Sequence, residues 1–136
     1  DYQRRCQEVI DRLPAGITVQ WHGQLPNDQV VAALARAHLL YMPSLGENFG
    51  HAMLEALVAG RPLLISDRTP WKDLAKARAG WDLPLEGPTA FTRTLQHAVD
   101  MDQGDLDELV NGAKAMGDRY LSDPATLERT YRMFKP

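Results

Sequence analysis

The sequence predicts an α/β fold in which helices cover both faces of a parallel β-sheet. Short apolar strands without polar alternation recur through residue 87, and helical patterns separate them. Strands of this kind are buried on both faces, which is typical of parallel sheets. A length of 136 residues suits one domain, so we expect 1–136 to form a single domain.

The first part of the chain predicts two helices around one strand. Apolar residues recur at helical spacing over 2–13, and Pro14-Ala15-Gly16 ends the pattern. The β-rich run 17–21 predicts a strand, in which Trp21 is a core or sheet-edge residue. A second helix is expected to begin with Asn27 or Asp28 as its cap.

The later elements follow in the same alternation and end in helices. Thr69-Pro70-Trp71 predicts the start of a short helix, with Thr69 as its cap and proline in its first turn. The other predicted elements are, in order, strand 39–42, helix 49–59, strand 62–65, strand 79–83 and helices 88–101, 105–121 and 124–134.

Composition argues against several classes of function. A formal charge of -3, with 15 scattered basic residues, does not provide the basic stripe that nucleic-acid binding needs. One cysteine excludes a disulfide within the chain, and the four histidines are too widely spaced to suggest a metal centre. No apolar stretch approaches the roughly 18 residues of a membrane span. We expect a cytoplasmic protein without a metal or a nucleic-acid partner.

The most informative segment is 43–57, which leaves the predicted strand 39–42 and enters a helix. Ligands of open α/β sheets bind at the carboxyl ends of strands. The start of a helix offers unpaired N–H groups and a partial positive charge, which suit a phosphate or a sugar oxygen. Gly46 and Gly50 allow the backbone to approach such a ligand closely.

The helix 49–59 carries only two polar side chains, His51 and Glu55, which stand four residues apart. We therefore expect a helix that is buried on nearly all sides. A carboxylate in such a helix needs a partner. That partner is either His51 or the hydroxyl groups of a ligand, and the spacing alone does not favour one over the other.

Glu47 and Glu55 are too far apart to be the acid and nucleophile of a glycoside hydrolase. Their separation along a helix corresponds to a rise of about 12 Å. The carboxylates of glycosidases lie only about 5–9.5 Å apart. Two separate contacts along an extended ligand fit this spacing better than one shared bond.

The pattern Glu47-x7-Glu55, with Phe49-Gly50 inside it, resembles a signature of retaining glycosyltransferases with two Rossmann-like domains, the GT-B architecture, and of family 4 in particular. The segments 35–44 and 59–67 resemble the blocks on either side of that signature. Ordered agreement over 17–83 makes the resemblance specific, whereas 84–136 agrees only in being helical. The resemblance implies a Rossmann-like donor-binding domain, the carboxyl-terminal half of such an enzyme.

The resemblance also implies roles for individual residues. Glu47 would contact the donor sugar near the transferred carbon, which makes it the catalytic candidate, and Glu55 would bind the ribose hydroxyls. Backbone N–H groups in between would hold the sugar and the diphosphate. The sequence departs from the family at Asn48, often glycine, and at His51, often aliphatic. The implied donor-binding set is Glu47, Asn48, Phe49, Gly50, His51 and Glu55.

The parent reaction implied by the resemblance is transfer of a hexosyl group from a nucleoside diphosphate sugar, with retention, to a glycan or lipid-linked acceptor. Bacterial polysaccharide biosynthesis is a typical setting, and peripheral association of the parent enzyme with a membrane fits it. No cofactor and no metal is expected. The alternative is a non-catalytic α/β module that binds a nucleotide or a sugar. A receiver-type module is disfavoured because the chain lacks its strand-end acidic cluster with a lysine.

The resemblance further implies segments that the sequence does not contain. Two strands and a helix would precede residue 1 and would supply an Arg/Lys pair for the diphosphate. An amino-terminal domain would bind the acceptor, so we expect the chain alone to transfer nothing. The strand 17–21 then either pairs directly with 39–42 or is separated from it by the two missing strands.

Overall fold

A computed structural model describes residues 1–125, and it confirms the predicted α/β fold. The predicted helix 124–134 lies outside the described residues from 126 onward. None of the helices within 1–125 has the length and apolar character needed to cross a membrane. The elements are α1 (Tyr2–Ile10), α2 (Asn27–Ala35), β1 (Leu40–Met42), α3 (His51–Val58), β2 (Leu63–Ser66), β3 (Gly80–Leu83), α4 (Pro88–Asp100) and α5 (Gln103–Ser122).

The sheet is parallel, with its three strands in the order β1-β2-β3. Leu40 pairs with Leu63, and Leu64 pairs with Trp81. All four residues of the central strand β2 are buried, which explains why its first three residues are apolar. The carboxyl ends of the strands therefore lie along one edge of the sheet, where the loops after β1 and β2 meet.

The core lies between the sheet and the helices α3 and α5, which pack against each other in antiparallel directions. Met53 and Leu57 of α3 are fully buried, and so is Ala113 of α5. Full burial of a side chain such as Leu57 stabilises the fold by about 1.5–3 kcal/mol. Gly117 lets the two helices approach closely, because a Cβ atom there would lie 2.8 Å from the backbone nitrogen of Val58.

The predicted strand 17–21 is absent from the structure. Those residues form no regular element, and they do not pair with β1. Ile17 and Trp21 are each 57% exposed. The indole of Trp21 donates a hydrogen bond to the side chain of Gln7 at 3.1 Å, so this residue is not part of the core. A β-rich run becomes a strand only when a neighbouring strand accepts its hydrogen bonds, and none among the described residues does.

The predicted helix at Thr69-Pro70-Trp71 is also wrong. Residues 67–79 form turns and bends instead, and none of them is helical. The hydroxyl of Thr69 accepts a hydrogen bond from the backbone N–H of Trp71 at 3.3 Å, as a helix cap would, but the residues 71–73 that follow form no helix. Asp73 and Arg78 have positive φ values of 57° and 51°, which a right-handed α-helix does not accommodate.

Helix α3 begins later than predicted and is less buried. The expected helix 49–59 is observed as His51–Val58, with Gly50 as its cap. Met53, Ala56 and Leu57 are buried, but His51 and Glu55 are exposed. The expectation of burial on nearly all sides is therefore wrong, because one flank of α3 faces solvent.

Candidate functional site

The loop between β1 and α3 is held against the loop that follows β2. Ser66, fully buried at the end of β2, donates its hydroxyl hydrogen bond to the carbonyl of Ser44. The same hydroxyl accepts from the backbone N–H of Arg68 at 3.3 Å. One small buried side chain therefore connects the carboxyl ends of neighbouring strands and fixes the base of the loop 43–50.

Glu47 lies in this loop and is held in place by two hydrogen bonds. Its backbone N–H donates to the carbonyl of Arg68 at 3.4 Å. Its carboxylate Oε1 accepts from the hydroxyl of Ser44 at 3.1 Å. The side chain is half-buried, and its other oxygen makes no hydrogen bond within the described part of the chain. Glu47 is thus oriented by the protein while one carboxylate oxygen can still accept a hydrogen bond.

The start of α3 presents unpaired backbone donors. Gly50 adopts a left-handed conformation, with φ 77° and ψ 59°, and no side chain caps the helix. Its carbonyl accepts from the N–H groups of Met53 and Leu54. The N–H groups of Gly50, His51 and Ala52 donate to no acceptor within residues 1–125. Such donors at a helix start attract an anion or a polar oxygen.

An open cleft of about 560 Å³ lies over these groups. It contains five of the six predicted donor-binding residues, and Glu55 is the one outside it. The lining residues are Met42, Gly46, Glu47, Asn48, Phe49, Gly50, His51 and Ala52. The sequence therefore located the cleft, and the fold brings its residues together because they belong to one continuous loop.

Glu55 lies one turn farther along α3, on the exposed flank. Among the described residues its carboxylate forms no hydrogen bond or ion pair, and it does not pair with His51. The ring of His51 packs against Phe49 instead, with 4.5 Å between ring centroids. His51, one of the two partners expected for Glu55, therefore does not pair with it.

A second cavity, of about 420 Å³, lies at the opposite edge of the sheet. It is lined mainly by apolar side chains at the amino ends of the strands, including Leu39, Pro62 and Trp81. Convergent polar groups distinguish a binding site from an apolar hollow. The carboxyl-edge cleft has a carboxylate and free N–H groups, so it is the better candidate although it is more open.

A family model for group 1 glycosyl transferases matches residues 1–116. The chain belongs to this family. No curated protein and no solved structure matches it. Membership of the group 1 glycosyltransferase family accounts for the Rossmann-like arrangement of this chain. It also gives glycosyl transfer as the class of reaction.

The candidate site includes residues that the sequence analysis missed. Ser44 and Ser66 orient the loop, and their position at strand ends was a usable signal. Tyr120 was not predictable, because it reaches the loop from the last turn of α5. Its ring centroid lies 5.7 Å from that of Phe49.

Charge near the candidate cleft is partly neutralised within the protein. The guanidinium of Arg68 forms an ion pair with Glu86. The pKa of Glu86 is lowered, first by a hydrogen bond from its own backbone N–H and then by Arg68. Within the described residues, no three His, Cys, Asp or Glu side chains are grouped so that they could hold a metal ion. The expectation of metal-free activity stays a prediction.

Proposed function

We propose that this chain binds the nucleoside diphosphate sugar donor of a retaining, family 4 type, GT-B glycosyltransferase. The observation that carries the proposal is the combination of Glu47, oriented by Ser44, with unpaired N–H groups at the start of α3 in one cleft. Hydroxyl groups and phosphate oxygens are the complementary ligand groups for such a surface.

The proposed donor lies along the start of α3. Its sugar hydroxyls donate to Glu47, and its diphosphate accepts from the N–H groups of Gly50 and His51. Glu55 is about 6 Å farther along the helix axis than His51. Its exposed and unpaired carboxylate is free to accept the two ribose hydroxyls. An extended ligand of sugar, diphosphate and ribose therefore meets matching groups in order.

The chemistry proposed for the cleft is positioning and charge stabilisation. Negative charge develops on the diphosphate as it leaves, and the backbone donors at the helix start stabilise that charge. Glu47 holds the sugar in the orientation needed for transfer with retention. An amino-terminal domain of the parent enzyme would bring the glycan or lipid-linked acceptor. Transfer by the 136-residue chain alone is not expected.

Calorimetry with the 136-residue chain tests the donor. UDP-, GDP- and ADP-sugars are compared with the corresponding free diphosphates. Loss of hydrogen bonds to a charged group weakens binding by about 10-fold to 100-fold. Glu55→Gln should therefore weaken sugar conjugates and free diphosphates alike, because both contain the ribose. Glu47→Gln should weaken only the sugar conjugates, because Glu47 is assigned to the sugar.

Glu8→Gln is the matched control, since Glu8 is an exposed glutamate on α1, away from the cleft. It should leave all affinities unchanged. The proposal is contradicted when no donor binds the wild-type chain, or when Glu55→Gln binds like wild type. Binding by the full parent enzyme without any transfer would favour the non-catalytic alternative.

A further inference from the structure

We infer that Trp71 and Tyr120 are positioning residues that hold the Phe49–Gly50 peptide in the donor-binding orientation. Together with Phe49 they form a cluster that we call the aromatic brace. The inference deepens the proposed function and rests on it, because it concerns the same cleft. Neither Trp71 nor Tyr120 lines that cleft, so both act through the loop.

Trp71 fixes one peptide group of the loop. Its side chain is buried, and its indole N–H donates to the carbonyl of Phe49 at 3.0 Å. That carbonyl and the N–H of Gly50 belong to the same trans peptide plane, in which they point in opposite directions. Holding the carbonyl on the indole therefore directs the N–H of Gly50 away from Trp71, where it has no protein acceptor within residues 1–125.

Packing around Gly50 leaves no room for a side chain at this position. A Cβ atom at Gly50 would lie 2.8 Å from the sulfur of Met53 and 3.4 Å from the indole nitrogen of Trp71. Met53 is fully buried in the core. The left-handed conformation of Gly50 is thus enclosed by a core side chain on one side and by the aromatic brace on the other.

Tyr120 connects the brace to α5. Its ring centroid lies 5.0 Å from that of Trp71 and 5.7 Å from that of Phe49. Buried Ala113 and the close approach at Gly117 fix α5 against α3. The position of Tyr120 is therefore set by helix packing far from the loop in sequence, and Tyr120 transmits that position to both rings.

The experiment measures the backbone order of Gly50 and the binding of UDP, GDP and ADP in the 136-residue chain. Trp71→Phe removes the indole donor, and Tyr120→Leu removes the aromatic contact. In both, the NMR order parameter of the Gly50 amide should fall from about 0.85 to below about 0.6. Diphosphate affinity should fall about 3-fold to 10-fold, as expected for one lost hydrogen bond. Tyr120→Phe keeps the ring, so its Gly50 order parameter and its diphosphate affinity should equal those of the wild type.

Trp81→Phe and Tyr41→Leu are the matched controls. Trp81 packs against His97, and Tyr41 packs against Phe91, both outside the brace. They should leave Gly50 and the affinities unchanged even where they lower the thermal midpoint. Equal effects in controls and brace variants, or an unchanged Gly50 in Tyr120→Leu, would overturn the inference.

Two outcomes separate this inference from the proposed function. When the wild-type chain binds none of the three diphosphates, the proposed function is contradicted, and the Gly50 order parameter alone decides whether the brace holds the turn. When the wild type binds and the brace variants bind equally well, the proposed function stands and the positioning role is wrong. Should Trp71→Phe not fold, the two Tyr120 variants still decide between these outcomes.

Discussion

The amino-terminal region 1–37 and the sheet region 38–122 differ in how completely their apolar residues are covered. In the sheet region, β2 is buried throughout, and α3 and α5 both contribute buried residues. In the amino-terminal region, neither α1 nor α2 contains a buried residue. Its large exposed apolar residues are Tyr2, Val9, Ile17, Val19, Trp21 and Val31.

Amphipathic patterning is present in both regions, so patterning alone does not account for the difference. The family model matches residues 1–116 and thus includes both regions. What differs is the presence of a neighbour: β2 lies between two strands, whereas 17–21 meets none among the described residues. A sequence pattern makes an apolar face available, and tertiary contact decides whether that face is buried. The expected additional strands between 17–21 and β1 stay a prediction.

The largest expected effect is that of Gly80→Ala. Gly80 has φ 131°, and a Cβ atom there would lie 1.9 Å from the carbonyl oxygen of Leu63. The strands β2 and β3 would have to separate, so we expect the free energy of unfolding to fall by about 4 kcal/mol or more. Urea unfolding followed by circular dichroism measures this loss.

Gly23→Ala is the matched change in the amino-terminal region. Gly23 also has a positive φ, 65°, but no atom lies within 4 Å of its added Cβ. Only the backbone conformation should cost energy, about 1–2 kcal/mol. Equal losses for the two variants would contradict the difference in packing between the regions.

An intermediate effect is expected from truncating apolar side chains. Leu57 is fully buried, so Leu57→Ala should lower the free energy of unfolding by about 2–5 kcal/mol through lost contacts and a residual cavity. Val31 is 66% exposed, and Val31→Ala should change the free energy of unfolding by less than about 0.5 kcal/mol. Thermal or urea unfolding measures both. A loss above about 1 kcal/mol for Val31→Ala would show that 1–37 is packed more tightly than described.

The same difference explains which strands could be predicted from the sequence. The strands of the sheet region were predicted to within two residues, because their neighbours are present and bury their apolar faces. Helices were predicted in both regions, since their hydrogen bonds are local. The strand 17–21 failed because its pairing partner is not encoded in its own residues. The helix predicted at Thr69-Pro70-Trp71 failed because the backbone turns away soon afterwards, with positive φ values at Asp73 and Arg78 that composition does not reveal.

The candidate site was predictable to the extent that it is local. Five residues from Glu47 to His51 line one cleft because they are consecutive. The exposure of Glu55 was not predicted, since the count of apolar residues on α3 does not tell which flank the rest of the fold covers. Tyr120 was missed for the opposite reason. It approaches Phe49 across 71 positions, and only the packing of α5 on α3 brings the two rings together.

The smallest expected effect is that of Glu86→Gln, which tests whether surface charge contributes to the stability of the sheet region. The pKa of Glu86 is lowered from its ordinary value of 4.5, first by its own backbone N–H and then by Arg68. A carboxylate whose pKa is lowered by folding stabilises the fold above its ordinary pKa. That contribution is lost as the pH falls below about 4.5 and through the lower pKa of the folded state.

Because Glu86 is fully exposed, water screens its attraction to Arg68. Glu86→Gln should therefore show only a slight decrease in thermal midpoint at pH 7 in low salt. The decrease should shrink as the pH falls below 4.5 and vanish once the carboxylate is protonated in the folded chain as well. It should also vanish in 1 M salt, where the Debye length is about 3 Å. A decrease that persists in 1 M salt would mean that Arg68 and Glu86 stabilise the loops around the cleft through contacts that salt does not screen, in addition to the attraction between their charges. Coverage of apolar residues would then not be the sole distinction between the two regions.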